Sequence, residues 1–346
     1  MKRGIFQKGL ILLIVITLFL AVGCSNQQKT SENNGSDNKQ AQEKDSASKS
    51  NYPSKPITFI VPANPGGGWD LTARAMQKVL KEENLVEQEI KILNKPGGNA
   101  EPAWQYLKNQ DSHTISINSA LILNNVILGR SELTYKDFTP LATISSGWEA
   151  LVVPVNSPYK TAQEFMEQLA KDPESLKMGL FSIGNNAHLT FIQAAKQFNV
   201  DPSKITFLVD KSGANIVTQL AGNHLDGATM YAAEARELAE AGKVRILAVA
   251  TEERMADFPD VPTWKEMGGI SLGNWRGFMG PPNMTEEEIA YWDEVFEKMA
   301  KTKAWQDILE KNQWSDYYKD SKETIKLLDN DNEIYADLIK AAGLLK

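Results

Sequence analysis

Residues 55–74 read KPITFIVPANPGGGWDLTAR, and this stretch decides the fold. Its opening run is β-branched and apolar and ends on a proline, which predicts a strand over 55–62. A loop follows over 63–68. Leu71, Ala75, Met76, Val79 and Leu80 then recur at helical spacing and predict an amphipathic helix over 69–83. Strand, glycine loop and helix open a βαβ unit. Strands at 88–93 and 113–118, with a helical stretch over 103–108 between them, extend it into a doubly wound α/β lobe.

A second series begins at 150–153. Strands at 178–181, 205–209, 227–230 and 244–250 alternate with helices over about 187–198, 215–221 and 232–241. Thr161 with Glu164 and Thr285 with Glu288 form two capping boxes, each opening a helix. A strand is expected at 275–279, broken by Pro281-Pro282, and the rest of the chain, 286–345, reads as interrupted amphipathic helix. That tail is expected to pack back on the first lobe. The chain then has two lobes, 52–149 with 274–346 and 150–273, joined by two crossings near Ala150 and Trp275 that make a hinge.

The first 24 residues read as an export signal. Lys2, Arg3 and Lys8 precede an apolar run over 10–22, shorter than the roughly 20 residues of a spanning helix. Gly23-Cys24 closes it. Cys24 is the only cysteine and stands where a lipoprotein signal places its acylated residue. Leu20 and Ala21 lie four and three residues before it, a slight departure from the usual pattern. An ordinary secretory signal or an uncleaved anchor is the alternative. Residues 25–51 contain no aromatic and no aliphatic larger than alanine, so they cannot bury enough surface to order themselves. They are expected to form a tether of about 25–30 Å. The roughly 295 residues beyond it suit two lobes rather than one simple core.

Removing the signal takes three positive charges and moves the formal charge from −7 to −10. That balance argues against a nucleic-acid partner, and it requires an anionic ligand to be held by local dipoles. Catalytic and metal chemistry find no support. His113, His188 and His224 have no mutual ligand spacing, Ser182 lacks a Gly-x-Ser-x-Gly elbow, and Gly66-Gly67-Gly68 lacks the Lys-Ser/Thr of a phosphate loop.

The loop Asn64-Pro65-Gly66-Gly67-Gly68-Trp69-Asp70 lies at a strand's carboxyl end, where open α/β sheets bind ligands. Its glycines permit close backbone approach, and the first helical amides after Gly68 are donors at the positive end of a dipole. Asp70 either caps its own helix or touches ligand, and Trp69 is either a lid or a core residue. Other strand-end loops are small and polar: Asn118-Ser119, Ser182-Ile183-Gly184-Asn185-Asn186, Lys211-Ser212-Gly213-Ala214, and Tyr231. Together they line one cleft with neutral donors.

These residues resemble a known family, the solute-binding receptors of tripartite tricarboxylate transporters, also called Bug receptors. The opening Tyr52-Pro53-Ser54-Lys55-Pro56-Ile57, then Val61-Pro62 and Pro65-Gly66-Gly67-Gly68-Trp69-Asp70-Leu71-Thr72-Ala73-Arg74, is similar to the family's first strand and loop. Asn94-Lys95-Pro96-Gly97 is similar to its second loop. Lys211-Ser212-Gly213, Leu220-Ala221-Gly222, Ala241-Gly242-Lys243-Val244-Arg245, Leu247-Ala248-Val249, Phe258-Pro259-Asp260-Val261-Pro262-Thr263 and Glu266-Met267-Gly268 follow in order. Gly98-Asn99-Ala100-Glu101-Pro102 departs from the family's usual alanine and glycines, so direct anion contact by that loop is in question.

The resemblance implies a two-lobed periplasmic-binding-protein fold, type II-like, that closes on a di- or tricarboxylate without cofactor or catalysis. It places Asn64, Gly66, Gly67, Gly68, Trp69 and Asp70 on the ligand from lobe 1, aided by Ser119, with Ser182, Asn185 and Asn186 facing them and Tyr231 at the cleft. The partners implied are the membrane subunits of such a transporter. A monomer, outside the cytoplasm and lipid-anchored through Cys24, is expected. The GGGWD sequence resembles the tricarboxylate-type members. Two other readings stay open: an orphan receptor that signals to a membrane sensor kinase, and a secreted α/β enzyme, which would need a nucleophile or partnered base that the sequence does not show.

Overall fold

The computed structural model describes residues 51–210 and 213–345, with backbone only at 213 and 214. The signal with Cys24, the tether apart from Asn51, and Lys211 and Ser212 lie outside the described residues.

From the opening stretch come β1 (Ile57–Val61) and α1 (Gly68–Glu82), followed by β2 (Ile90–Asn94), α2 (Glu101–Leu107), β3 (Thr114–Ser119), α3 (Leu121–Ile127) and β4 (Thr139–Gly147). Next come β5 (Glu149–Pro154), α4 (Ala162–Lys171), β6 (Lys177–Leu180), α5 (Asn186–Gln197), β7 (Thr206–Val209), α6 (Gly213–Ala221), β8 (Gly227–Tyr231), α7 (Ala232–Glu240) and β9 (Val244–Val249). The chain ends with β10 (Asn274–Gly280), α8 (Glu286–Ala300), α9 (Lys303–Asn312), β11 (Ser315–Lys319) and α10 (Ser321–Ala341).

The strands form two sheets, one ordered β11-β4-β10-β3-β1-β2 and the other β7-β6-β8-β5-β9. In the first, β1 pairs in parallel with β2 and β3, the βαβ arrangement that the opening predicts. β10 enters antiparallel between β3 and β4. One residue, Trp148, separates β4 from β5 and carries the chain from the first sheet to the second. Its indole Nε1 donates to Ser315 Oγ at 2.6 Å and fixes that passage against β11.

Helix α1 buries Ala73, Met76, Val79 and Leu80 in the same core as Phe59 and Val61 of β1. The Met, Val, Leu and Phe side chains each contribute about 1.5–3 kcal/mol. Both capping boxes form as the sequence predicts, opening α4 and α8. On the second sheet α4 buries Phe165, Met166 and Leu169.

Three elements were not expected: α3, β4 and β11. The β4 sequence TPLATISSG reads as a loop because of its proline and small polar residues, yet Thr143, Ser145 and Ser146 are fully buried in it. Neighbours meet the polar groups of Thr143, whose Oγ1 donates to Tyr317 O at 2.9 Å and whose N donates to Thr324 Oγ1 at 2.9 Å; Ser146 Oγ donates to Gly147 O at 3.0 Å, and Ser145 Oγ has no partner among the described residues. The tail also departs from the expectation, since β11 interrupts it. Helix α10 does not pack on the first sheet's elements alone. Leu328, Tyr335, Leu338 and Ile339 share one apolar core with Leu123 of α3, Trp275 of β10, and Leu189 and Ile192 of α5.

Candidate ligand-binding site

Helix α1 starts at Gly68, with Gly67 at the N-cap position and no side chain capping it. The amides of Gly68, Trp69 and Asp70 therefore have no partner within the helix. Gly66 has φ +82°, a left-handed conformation that favours glycine, and its neighbour Gly67 donates to Asn64 O at 3.0 Å. Asn64, Gly66 and Gly68 are exposed and Trp69 is half-buried, its ring 6.3 Å from that of Trp104.

Asp70 neither caps its own helix nor faces outward. It is 1 % exposed, and its carboxylate accepts from Arg74 Nε at 2.8 Å, Gly66 N at 2.8 Å and Asn94 Nδ2 at 2.9 Å. The bond from Arg74, then those from Gly66 and Asn94, hold its pKa down at about 2 against the opposing effect of burial. Asn94 Nδ2 also donates to Ala63 O at 3.0 Å. The second loop motif thus braces the first, and Asp70 is the strut between them.

Behind the glycine loop stands Arg276 of β10, a residue the sequence analysis did not single out. It is 8 % exposed. Its Nη1 donates to Thr72 Oγ1 at 2.9 Å, and the guanidinium lies 4.4 Å over the Trp314 ring. A Cβ at Gly68 would stand 3.4 Å from Arg276 Nη2. Among the described residues no carboxylate pairs with it. A buried cation beside unpartnered helix amides is a place for an anion.

The Arg276 charge also acts on Tyr231, which ends β8 and is paired with Glu149 of the neighbouring β5. Asn274, two residues before Arg276 on the same face of β10, donates to Tyr231 Oη at 2.5 Å. Burial foremost, then the negative charge of Glu149, pushes the Tyr231 phenol up to about 12 against the pull of Arg276. Glu149 is 3 % exposed. Burial raises its carboxyl to about 7; bonds from Asn186 and Asn274 oppose the shift, and Glu234 adds to it.

A cavity of about 430 Å³ opens here, walled by Asn185, Asn186, Thr229, Tyr231, Asn274 and Glu149 among others. A second, of about 310 Å³, shares Tyr231 and Glu234 with it and reaches Arg276 and Trp314. Of the residues expected from sequence, Asn185, Asn186 and Tyr231 line one cavity. Asn185 N-caps α5 by accepting from His188 N at 2.9 Å, and Asn186 Oδ1 accepts from Tyr335 Oη at 2.9 Å. Asn64, Gly66, Gly67, Gly68 and Trp69 sit on the loop, connected to that group through Arg276 and Tyr231. Ser119 is buried opposite Arg276, its Oγ accepting from Leu121 N at 3.2 Å. Ser182 is half-exposed, with its Oγ 3.5 Å from Ile183 O.

Arg276, Glu149, Asn274 and Glu234 went unnoticed because each reads as one letter in a strand or helix. A signal existed: WRGFM and WEALVVP each set a charge into an otherwise apolar run that a buried strand tolerates only with partners. Among the described residues no group of His, Cys, Asp or Glu could hold a metal ion, and no helix is long and apolar enough to cross a membrane. His188 is buried, with its Nδ1 accepting from Gly184 N at 3.1 Å.

Residues 72–344 match the family model TctC, described as the tripartite tricarboxylate transporter family receptor. The chain belongs to that family. This receptor is 25 % identical over 307 residues to a UPF0065 protein of Bordetella pertussis, covering 86 % of this chain and 93 % of the other. A TctC solute-binding protein from Polaromonas has a similar structure, with TM-score 0.75 and 26 % identity over 84 % of this receptor and 99 % of that chain. MatC from Rhodopseudomonas palustris, solved with bound malate, shares the fold at 21 % identity and TM-score 0.63, covering 83 % of this receptor and all (100 %) of that chain. A second Rhodopseudomonas palustris protein, solved with adipate, does so at 21 % identity and TM-score 0.68, over 84 % and 98 % of the two chains. The receptor thus has the two-lobed binding-protein fold, and its family is one of solute receptors rather than enzymes.

Proposed function

We propose that this receptor captures a small organic acid in the cleft between its two sheets, holding one carboxylate on Arg276 and the amides of Gly68, Trp69 and Asp70, and delivers it to the membrane subunits of a tripartite transporter. The observation that carries the reading is the buried, unpaired Arg276 guanidinium beside the uncapped start of α1. The receptor's net negative charge gives no general attraction for an anion, so a local cation is needed. Malate and adipate in the two Rhodopseudomonas palustris neighbours support the carboxylate class. Asn64, Gly66, Gly67 and Trp69 shape the loop, Asp70 braces it, and Ser119 supports Arg276 from the next strand. Asn185, Asn186 and Tyr231 face the ligand from the second sheet, with Ser182 at their edge.

In this reading residues 52–149 with 274–346 form one lobe and 150–273 the other, and the receptor works as a monomer outside the cytoplasm. Lipid on Cys24 keeps it near its transporter at the end of the 25–51 tether. Calorimetric titration of the parent and Arg276→Gln with malate, adipate and citrate tests the site. At least one acid should bind the parent. The variant should lose about tenfold or more, since a hydrogen bond to a charged group is worth about 1.5–3 kcal/mol. Undiminished affinity in a folded Arg276→Gln protein would place the carboxylate elsewhere.

A further inference from the structure

We infer that Trp314 is a positioning residue of the ligand site: its ring holds the Arg276 guanidinium without neutralising it, and so sets the direction and strength of the carboxylate grip. That role rests on the proposed grip at Arg276 and adds to it the residue that keeps the cation ready.

Trp314 stands where it does because of how α9 ends. Gln313 closes the helix in the left-handed conformation, with φ +54°. Gln313 N donates to Glu310 O at 3.0 Å and Trp314 N to Leu309 O at 2.9 Å, the paired bonds that turn a chain sharply out of a helix. The next residue, Ser315, accepts from Trp148 Nε1 at 2.6 Å, which pins the turn to the passage between the sheets. Trp314 is thereby placed beside β10, with the Arg276 guanidinium 4.4 Å from the centre of its ring. Both residues line the cavity of about 310 Å³.

The stack does more than fill space. Arg276 Nη1 donates to Thr72 Oγ1, so the bond and the ring face together restrain the guanidinium, and Nη2 is left beside Gly68 at the uncapped start of α1. Both supports are also uncharged. A buried arginine is ordinarily paired with an acid, and an acid at this place would compete with the carboxylate of a ligand. Asp316 of β11 is in register with Arg276 across Ser145, yet its oxygens accept from Gln306 Nε2 and Tyr318 N, each at 3.1 Å. An aromatic face instead attracts a cation through its quadrupole, indole most strongly, and the attraction grows where water is excluded. Arg276 is 8 % exposed. Without the ring, water would reach that side of the guanidinium and the group could turn away from Gly68. A ligand carboxylate would then meet a better hydrated and less directed charge.

Calorimetric titration of Trp314→Phe and Trp314→Leu with malate, adipate and citrate tests this, with urea unfolding of each variant alongside. Trp314 is half-buried, and both changes remove the indole, but only phenylalanine keeps an aromatic face. Trp314→Phe should bind the acid that the parent binds within about threefold of the parent, and Trp314→Leu about fivefold or more weaker than Trp314→Phe, while their urea midpoints lie close together. In an Arg276→Gln background the two should bind alike, because no cation is left to hold. Equal affinity of Trp314→Phe and Trp314→Leu with Arg276 present overturns the inference and leaves the carboxylate grip intact. A gap that persists in the Arg276→Gln background also overturns it, since the ring would then act by packing alone. Should Arg276→Gln bind too weakly to titrate, the contrast between phenylalanine and leucine at matched urea midpoints decides. Arg276→Gln binding as tightly as the parent, or a parent that binds none of the three acids, sinks the carboxylate grip and the role of Trp314 with it.

Discussion

Replacing Asp70 by asparagine keeps the size of the side chain and removes its charge, at a position where three donors converge on two oxygens. Gly66 N and Arg74 Nε both point at Oδ2, and Asn94 Nδ2 points at Oδ1. An asparagine offers one oxygen and an NH₂ group, so at least one donor would face another donor. Asn94 cannot simply turn over, because its Nδ2 also serves Ala63 O and its Oδ1 accepts from Arg74 Nη2 at 3.3 Å. Arg74 is half-exposed, so its share of the loss is small, well under about 1 kcal/mol. The bonds from Gly66 and Asn94 to the buried carboxylate carry most of the rest, and Asp70→Asn should lose about 2–3 kcal/mol at pH 7.

The pH dependence has a fixed sign. The folded-state pKa is about 2 against an ordinary 3.8, so the ionised carboxylate stabilises the fold fully above about pH 4, and that stability disappears as pH falls toward 2. Urea midpoints of parent and variant, compared from pH 7 to pH 3, should therefore draw together, with roughly half of the gap gone by pH 3. Ligand affinity should fall alongside stability, because the strut sets the position of the amides that follow Gly67. A variant as stable as the parent at pH 7, or a gap that stays constant down to pH 3, would refute the assignment of Asp70 as the loop's brace.

Gly68→Ala separates folding from binding in the opposite sense. The added methyl meets Arg276 Nη2 at an ordinary 3.4 Å contact, and the first helical turn accepts alanine, so calorimetric stability should hold or rise by about 0.4–1 kcal/mol while carboxylate affinity, read by titration, drops several-fold. Cys24→Ala should move the protein from the membrane fraction to the soluble one on cell fractionation, and an unchanged distribution would rule out the lipid anchor.

Much of the architecture was legible because it obeys short-range rules. The β1–loop–α1 unit, the two capping boxes and the alternation of strand and helix through the second sheet each depend on residues a few positions apart. β4 and β11 were not legible, because the buried Thr143 is satisfied by partners brought from residues 317 and 324, far along the chain. The site divides the same way. The glycine loop and the Asn185-Asn186 turn show themselves as local composition. Arg276 and Glu149 acquire meaning only when β10 and β5 bring them to Tyr231, which stands far from both in the chain. Asp70 was noticed as either a cap or a ligand contact, and its bond to Asn94 was not legible because that partner lies on β2, 24 residues along the chain.

Helix α10 is the spine of the molecule. Its 21 residues lie along both halves, with Tyr335 bonded to Asn186 and Asp337 paired with Lys196 on one side and Leu328 and Ile339 packed toward Leu123 and Trp275 on the other. Parting the halves along that line would wet a continuous apolar seam at about 25 cal/mol for each Å² exposed. That cost keeps the seam shut. The bond from Tyr335 to Asn186 also ties this seam to the wall of the cavity, so the helix that closes the apolar core holds a lining residue in place.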